Sequence, residues 1–311
     1  MVFIVTFVSS NYLSGFEDSF YMAYLLLILT VLFWSGNFVL GRGVNEMIPP
    51  VALAFWRWTG ALIILLPFSI KGLVRQRAEI RKNLGILTVL AILSVTSFNT
   101  FIYHALQTTT VANTVLVNST IPIFIVLVAW LGFNDRITTR QTIGVIVSFI
   151  GLVWIVSRGQ PAVLLDLKFS KGDLWTLTAA LCWAFYTVLL RKRPANLDPL
   201  PFLATIIGIG LVFLFPFYIW EIRSGATFQL SPAVAASFGY VALFPSVLSY
   251  IFWNRAVGIV GASKAGIFMH LMPVFSILLA FIFLGETLAF YHVVGIILIF
   301  FGIALITIKQ T

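Results

Sequence analysis

"PPVALAFWRWTGALIILLP", Pro49–Pro67, holds one charged residue, Arg57, between Trp56 and Trp58; everything else in it is apolar, small or the hydroxyl of Thr59. A hydrophobic run of about 20 residues is what a helix needs to cross the ~30 Å hydrocarbon core of a bilayer. The stretch therefore reads as a membrane span with a cation inside it. The rest of the chain has the same character. Hydrophobic residues make up 60% of the 311 and charged residues 9%, with a mean hydropathy of +1.06. Soluble domains carry about 25% charge, so this chain has too little polar surface to coat a globule in water. It is expected to be a polytopic membrane protein with the lipid bilayer as its solvent.

Ten apolar segments are long enough to span: roughly Tyr21–Leu40, Val51–Ile70, Leu84–Leu106, Val111–Leu131, Thr139–Ser157, Gly172–Leu190, Pro201–Trp220, Ala233–Trp253, Ala265–Leu284 and Leu288–Ile308. Backbone groups in lipid must be paired within the segment or within a closed barrel, and runs this long and uniformly apolar mean helices. Residues 1–20 carry Glu17 and Asp18 without Lys or Arg. They lack the basic start of a secretory signal and read as a short lead-in. The single cysteine, Cys182, excludes an intramolecular disulfide and a multi-thiol metal site, and no cofactor or metal is expected.

The formal charge of +9 has to be read loop by loop. With the N-terminus in the cytoplasm, twelve basic residues fall in inner loops and five in outer loops, while Arg57 and Lys264 lie within spans. The positive-inside rule then places both termini in the cytoplasm of a multi-pass protein, expected in the bacterial inner membrane. The basic balance is an orientation signal, so no nucleic-acid partner is expected.

The sequence repeats itself. Trp34 and Trp183, Arg42 and Arg191, Pro50 and Pro199, and Pro67 and Pro216 are each 149 positions apart. Further along the spacing becomes 151, pairing Ala105 with Ala256, Pro122 with Pro273, Asp135 with Glu286, Gly144 with Gly295 and Gly151 with Gly302. Two five-helix repeats are predicted, 21–158 and 159–311, after the lead-in. Five is odd, so the second copy enters the membrane from the opposite face. The expected fold is an all-α membrane protein of ten transmembrane helices in two inverted-topology repeats, an architecture of secondary transporters with a substrate site between the halves.

"FWSGNFVLGR" (Phe33–Arg42), "PPVALAFWRW" (Pro49–Trp58), "NSTIPIFIVLVAWLGFND" (Asn118–Asp135) and "HLMPVFSILLAFIFLGE" (His270–Glu286) resemble the repeated signature of the drug/metabolite transporter superfamily, and within it the ten-helix EamA group. The likeness covers nearly the whole chain after residue 20. It implies bacterial export of amino acids or related metabolites by alternating access, with the fifth and tenth helices as scaffold. The second copy ends Leu-Gly-Glu, whereas the first reaches Asp135 after an inserted Phe-Asn, a departure confined to a helix end.

None of the ten acids lies deep within a span, which disfavours a cation/proton exchanger built on a buried carboxylate. Polar residues inside spans usually face the bundle interior or a wet cavity. The substrate-binding candidates are Trp34, Asn37, Asn99, Tyr103, His104 and Asn118 in the first half, and Trp183, Tyr186, Tyr250 and His270 in the second, with Asn254 beside them. Pro122 and Pro273 are expected to kink their helices at matching places, freeing the carbonyls of Asn118 and Met269. Each has a blander reading. Trp and Tyr also form interfacial belts, Asn and Ser knit helices together, His270 can serve as a helix-to-helix hydrogen bond, and His104 can simply face water. Arg57 lies ~9 Å below the outer end of its helix at ~1.5 Å per residue. That is shallow enough to snorkel or to donate to carbonyls at neighbouring helix ends. The resemblance implies an Arg at this place in exporters of different substrates, which favours a structural or gating role over attraction of a substrate carboxylate.

Neutral amides, hydroxyls and aromatics suit a small zwitterion, most simply an amino acid and particularly an aromatic one. Phosphates would want convergent Lys or Arg. The same aromatic lining would serve an organic-cation exporter through cation–π contacts. An intramembrane enzyme would need a catalytic constellation, and His104, His270 and His292 are scattered with no deep acid beside them. A homodimer is compatible with this reading. In a Cys182→Ala background, single cysteines should report the topology to an impermeant thiol reagent in intact cells. Ser170→Cys is expected to react and Gln310→Cys to be protected; the reverse pattern would refute cytoplasmic termini.

Overall fold

The computed structural model describes residues 16–44, 48–135, 138–160, 162–165, 170–285 and 287–307. The start of the lead-in, the loop residues 166–169, Glu286 and the last four residues lie outside them. Ten helices are long and apolar enough to cross a membrane: α1 (Phe16–Val44), α2 (Pro50–Arg75), α3 (Leu84–Ala105), α4 (Val111–Asn118 continuing as Ile121–Phe133), α5 (Thr139–Val156), α6 (Lys171–Leu189), α7 (Pro199–Arg223), α8 (Pro232–Val260), α9 (Ala262–Gly266 continuing to Leu284) and α10 (Phe290–Thr307). Among the described residues there is no strand.

The helix starts are written locally. α2 and α7 each open with a proline in the first turn, where its missing N–H costs nothing. The exposed N–H groups of Val51 and Ala52 are taken by the Glu221 carboxylate at the far end of α7, at 3.0 and 2.7 Å. α5 begins with a capping box between Thr138 and Gln141. The ends of α4 and α9 match at the repeat spacing of 151: Asn134 (φ 53°) and Gly285 (φ 68°) both turn the chain out through the left-handed region.

Equivalent helices of the two halves run antiparallel against each other. Phe55 near the start of α2 stacks on Tyr218 near the end of α7, with ring centroids 4.4 Å apart. At the opposite end, Gly72 lies against Pro201. α5 and α10 cross through four glycines. A Cβ on Gly144 would lie 2.6 Å from the Gly302 carbonyl oxygen, and one on Gly151 2.7 Å from that of Gly295. In lipid there is little hydrophobic drive between helices, so close backbone approach through small residues supplies the packing. The remaining eight helices enclose the interior, with α1 on α8 and α9, and α6 on α3 and α4.

Helices α3 and α8 carry the same irregularity at the same repeat position. Ile92–Phe98 and Leu243–Leu248 are π-helical turns 151 residues apart. α4 and α9 also share a break. α4 is interrupted at Ser119–Thr120, and α9 passes through a 3₁₀ turn at Ile267–His270. Pro122 and Pro273 therefore sit in the first turns of the segments that follow, rather than kinking continuous helices. This refines the sequence expectation: the chain uses each proline as a helix start.

Gly151→Leu should lower the thermal midpoint in detergent by several degrees, because the added side chain meets backbone and the Leu298 Cβ at 2.7 Å. Gly85→Ala, with nothing within 4 Å of its Cβ, should hold or raise the midpoint, since Ala is the better helix former by about 1 kcal/mol. Equal midpoints for Gly151→Leu and the parent would refute the close crossing.

Candidate functional site

Arg57 is buried, with 2% of its surface exposed. Of the two expectations, snorkelling and donation to carbonyls of neighbouring helices, the structure replaces the first: neighbouring helices close over Arg57 and supply neutral acceptors, one of them a carbonyl. Its Nε donates to Ser246 Oγ at 2.6 Å, and its Nη1 to Asn99 Oδ1 at 2.9 Å and Tyr103 Oη at 2.8 Å. Its Nη2 donates to the Pro245 carbonyl at 3.1 Å. A guanidinium has five N–H groups, so one on Nη2 is left over. The partners come from α3 in the first half and α8 in the second, so the network joins them to α2, which carries Arg57. Pro245 makes the α8 end possible. Its missing N–H leaves the carbonyl four residues back, Val241, without its helix bond, and Ser246 Oγ takes that carbonyl at 2.6 Å while accepting from Arg57.

Next to Arg57 lies an aromatic cluster. The guanidinium sits 5.3 Å from the Trp58 ring, which meets Tyr250 edge-on at 5.0 Å. Trp34 packs edge-on against Trp183 at 5.1 Å, and Trp253 lies 5.3 Å from Trp34 and 5.7 Å from Trp183. Tyr186 adjoins Trp183 and Tyr250. Trp34 donates its indole N–H to the Pro245 carbonyl at 3.0 Å, Tyr250 its hydroxyl to the Ser94 carbonyl at 3.1 Å, and Tyr186 its hydroxyl to Asn254 Oδ1 at 2.7 Å. The indole N–H groups of Trp58, Trp183 and Trp253 and the Asn99 Nδ2 amide are buried without an acceptor. A buried polar group left unpaired costs about 1–3 kcal/mol, so four such donors in contiguous residues mark a place short of acceptors.

Arg57, Trp34, Asn99, Tyr103, Trp183, Tyr186 and Tyr250 thus converge, and four further candidates lie elsewhere. His270 is fully buried between helices: Nδ1 is 2.6 Å from Ser148 Oγ on α5 and Nε2 is 3.0 Å from the Ser119 carbonyl at the α4 break. Asn118 is buried beside that break, with Oδ1 unpartnered. His104 is exposed at the end of α3, edge-on to Trp175 at 5.2 Å. Asn37 is part-buried on α1. Sequence reasoning did not single out Trp253, Pro245 or Ser246. The available signal was asymmetry: at the repeat spacings Arg57 faces Ile206, Pro245 faces Ser94 and Ser246 faces Val95.

One acid is buried among the described residues, and it sits in the first turn of a helix, not deep within a span. Asp173, 1% exposed at the start of α6, accepts from the Thr109 hydroxyl at 2.5 Å, the Asn113 amide at 3.2 Å and the Ser170 N–H at 2.7 Å. These donors and the helix N-terminus hold it as a structural cap. The described residues contain no cluster of three or more metal-ligating side chains.

At the end of the bundle where α6 meets α7 and α8 meets α9, a cavity of about 890 Å³ opens. Its lining includes Thr187, Arg191, Arg193, Asp198, Phe202, Ile251, Asn254 and Arg255. Asn254 thus has one face on this vestibule and the other on the aromatic cluster. At its rim Arg191 grips Asp135, at the end of α4, through two bonds of 3.1 and 2.6 Å, tying the halves together. That bond holds the Asp135 carboxyl below its usual range.

The fold and the interior define a multi-pass membrane protein of the transporter class, with mirrored halves around a polar-aromatic core. The sequence pattern of the EamA-like transporter family matches residues 21–157 and again 170–308, and the chain belongs to that family, a branch of the drug/metabolite transporter superfamily. Each match contains five of the ten long helices. The chain is 31% identical over 294 residues to an uncharacterized transporter of Archaeoglobus fulgidus, covering 92% of this chain and 98% of that one. It is 27% identical over 280 residues to the uncharacterized transporter YyaM of Bacillus subtilis, covering 90% and 92%. A solved structure described only as "Crystal structure of protein" superposes with a TM-score of 0.71 at 17% identity over 91% of this chain, a likeness of fold.

Arg57→Lys should abolish most transport while leaving the membrane-inserted yield measurable, because an ammonium has three donors on one atom and cannot span four acceptors spread over α3 and α8. Ser246→Ala should lower the thermal midpoint by the cost of an unpaired buried donor, about 1–3 kcal/mol. Parental transport by Arg57→Lys would remove Arg57 from the machinery.

Proposed function

We propose that this protein is a secondary transporter that exports small zwitterionic metabolites, amino acids and especially aromatic ones, by alternating access between its two repeats. The observation that carries the reading is the surplus of buried donors around Arg57. The leftover Nη2–H, the Asn99 amide and three indole N–H groups form a site short of acceptors. An ionised carboxylate is acceptor-only and matches it. Aromatic walls from Trp34, Trp183, Tyr250 and Trp253 suit an aromatic side chain through edge-to-face packing worth about 0.5–1.5 kcal/mol per pair. An organic cation would find aromatic faces but also the Arg57 charge beside them, which disfavours the multidrug reading. No catalysis is invoked.

The same residues bear on energy coupling. A proton-driven exporter needs a group on the path that changes charge near neutral pH. Asp173 is held by three donors at a helix start, and both ring nitrogens of His270 are engaged. Neither touches the Arg57 cluster through a ring contact or hydrogen bond described above. Facilitated diffusion or exchange down the substrate's own gradient follows as the mode.

Purified protein in liposomes should equilibrate labelled L-phenylalanine in both directions without a pH gradient. Trp34→Ala and Trp183→Ala should each cut that flux about tenfold or more, beyond any loss of folded yield, as expected for large aromatic anchors. Parental flux in both variants would move the site away from the cluster. Accumulation driven by an acid exterior, and abolished by His270→Ala, would establish histidine-coupled exchange instead.

A further inference from the structure

We infer that the vestibule at the α6–α7 end is a second binding site, for an organic carboxylate with an apolar body, organised by Arg193. Of the charged side chains lining it, Arg191 is committed to Asp135 and Asp198 to Arg75 at 2.6 Å. Arg193 is half-buried, makes no hydrogen bond or ion pair with the described residues, and lies 5.4 Å from the Phe202 ring. Six residues back on α6, Thr187 is fully buried with its hydroxyl unpartnered, and it lines the same cavity. Asn254, 7% exposed, spends Oδ1 on the Tyr186 hydroxyl, which leaves its Nδ2 amide outside that bond and on the cavity side. A guanidinium, a hydroxyl and an amide N–H therefore converge on one space.

The chemical class follows from this set. Among the described residues lining the cavity, Arg193 stands beside Arg191 and a carboxylate, Asp198, that already has a partner, which disfavours a cation. A carboxylate accepts bidentate donation from a guanidinium, and charge-assisted bonds of this kind contribute about 1.5–3 kcal/mol each. Ile251 and Phe202 give the cavity apolar wall, which suits a hydrocarbon or aromatic body and gives nothing to inorganic phosphate. Basic residues of this end lie on the face that the positive-inside rule assigns to the cytoplasm. With Asn254 shared between vestibule and aromatic cluster, the site is the loading station of the export path. Only that last role rests on the proposed transport function; the binding itself does not.

The test is site-specific protection of the full-length protein in detergent. A Cys182→Ala, Ile259→Cys chain carries one thiol in the lining, and phenylacetate should slow its modification by a methanethiosulfonate several-fold. L-Phenylalanine should protect too, whereas phenethylamine should not. Adding Arg193→Gln should raise the phenylacetate needed for half-protection at least about tenfold, with Arg193→Lys recovering part. Thr187→Val, close to isosteric, should raise it about threefold and keeps the test open if Arg193→Gln does not fold. Unchanged half-protection in the folded variants would overturn the inference. So would protection by phenethylamine, or equal protection by inorganic phosphate or short-chain phosphatidylglycerol, which would make it a phosphate or headgroup site. Arg193-dependent protection with no amino-acid flux in liposomes would sink the proposed function and leave this site standing; flux with Arg193-independent protection would do the opposite.

Discussion

A guanidinium buried inside a membrane bundle without a carboxylate is the constraint on which the rest of the interior depends. Removing such an ion from water costs several kcal/mol even after relaxation, and the chain offsets it with four neutral acceptors placed 2.6–3.1 Å away. Those acceptors sit on helices from both halves, so the Arg57 bonds hold only while α2, α3 and α8 keep one arrangement. The π-turn of α8 exists at Pro245–Ser246, where the helix ladder cannot close and two groups become available to Arg57 and Trp34. Helix irregularity and cation explain each other: either alone would leave unpaired polar atoms in the core.

This also explains why the mirrored halves are not interchangeable. The π-turn occurs in both α3 and α8, yet only α8 carries the proline, and only α2 carries the arginine. In α3 the freed Ser94 carbonyl serves the Tyr250 hydroxyl instead. A symmetric scaffold allows two equivalent tilts of one half on the other; a symmetry-breaking network at one end gives those tilts different energies. The Asp135–Arg191 pair adds a second tie between the halves at the vestibule rim, with Arg191 and Lys192 both lying over the Phe133 ring.

The ten spans were legible because each is a contiguous apolar run, and the glycines of α5 and α10 because they recur at 151 residues. Trp34 and Trp183 stand out in the sequence as aromatics paired by the repeat inside spans, and Tyr250 as a polar aromatic within α8; the three meet in the structure. What the sequence hid was tertiary. Arg57 read as shallow because depth was counted along α2 alone, whereas the helices that pack over it decide its exposure. Asp173 read only as an acid not deep within a helix, because the donors that hold it, Thr109 and Asn113, are 64 and 60 positions away. Arg191, Arg193 and Arg255 counted as loop charges for orientation. Their convergence on one cavity needs the ends of α6 and α8 to meet.

The distribution of the acids completes the physical argument. Glu221 is spent on the first N–H groups of α2 and Asp173 on the start of α6, where helix dipoles favour negative charge. Asp135 and Asp198 are spent on Arg191 and Arg75 near the bundle's end. None of these is spent on the Arg57 cluster or on Arg193, so both retain donor capacity that no described acid fills. A cation entering this path would meet positive charge at the vestibule and again at Arg57, with no carboxylate of the cluster to receive it. A carboxylate would be stabilised at both points, and with Asn254 standing between them it could pass from one to the other without crossing an intervening acid. Under the proposed function, preference for a carboxylate over a cation would come from where these described acids are used, before any single contact to a substrate is considered.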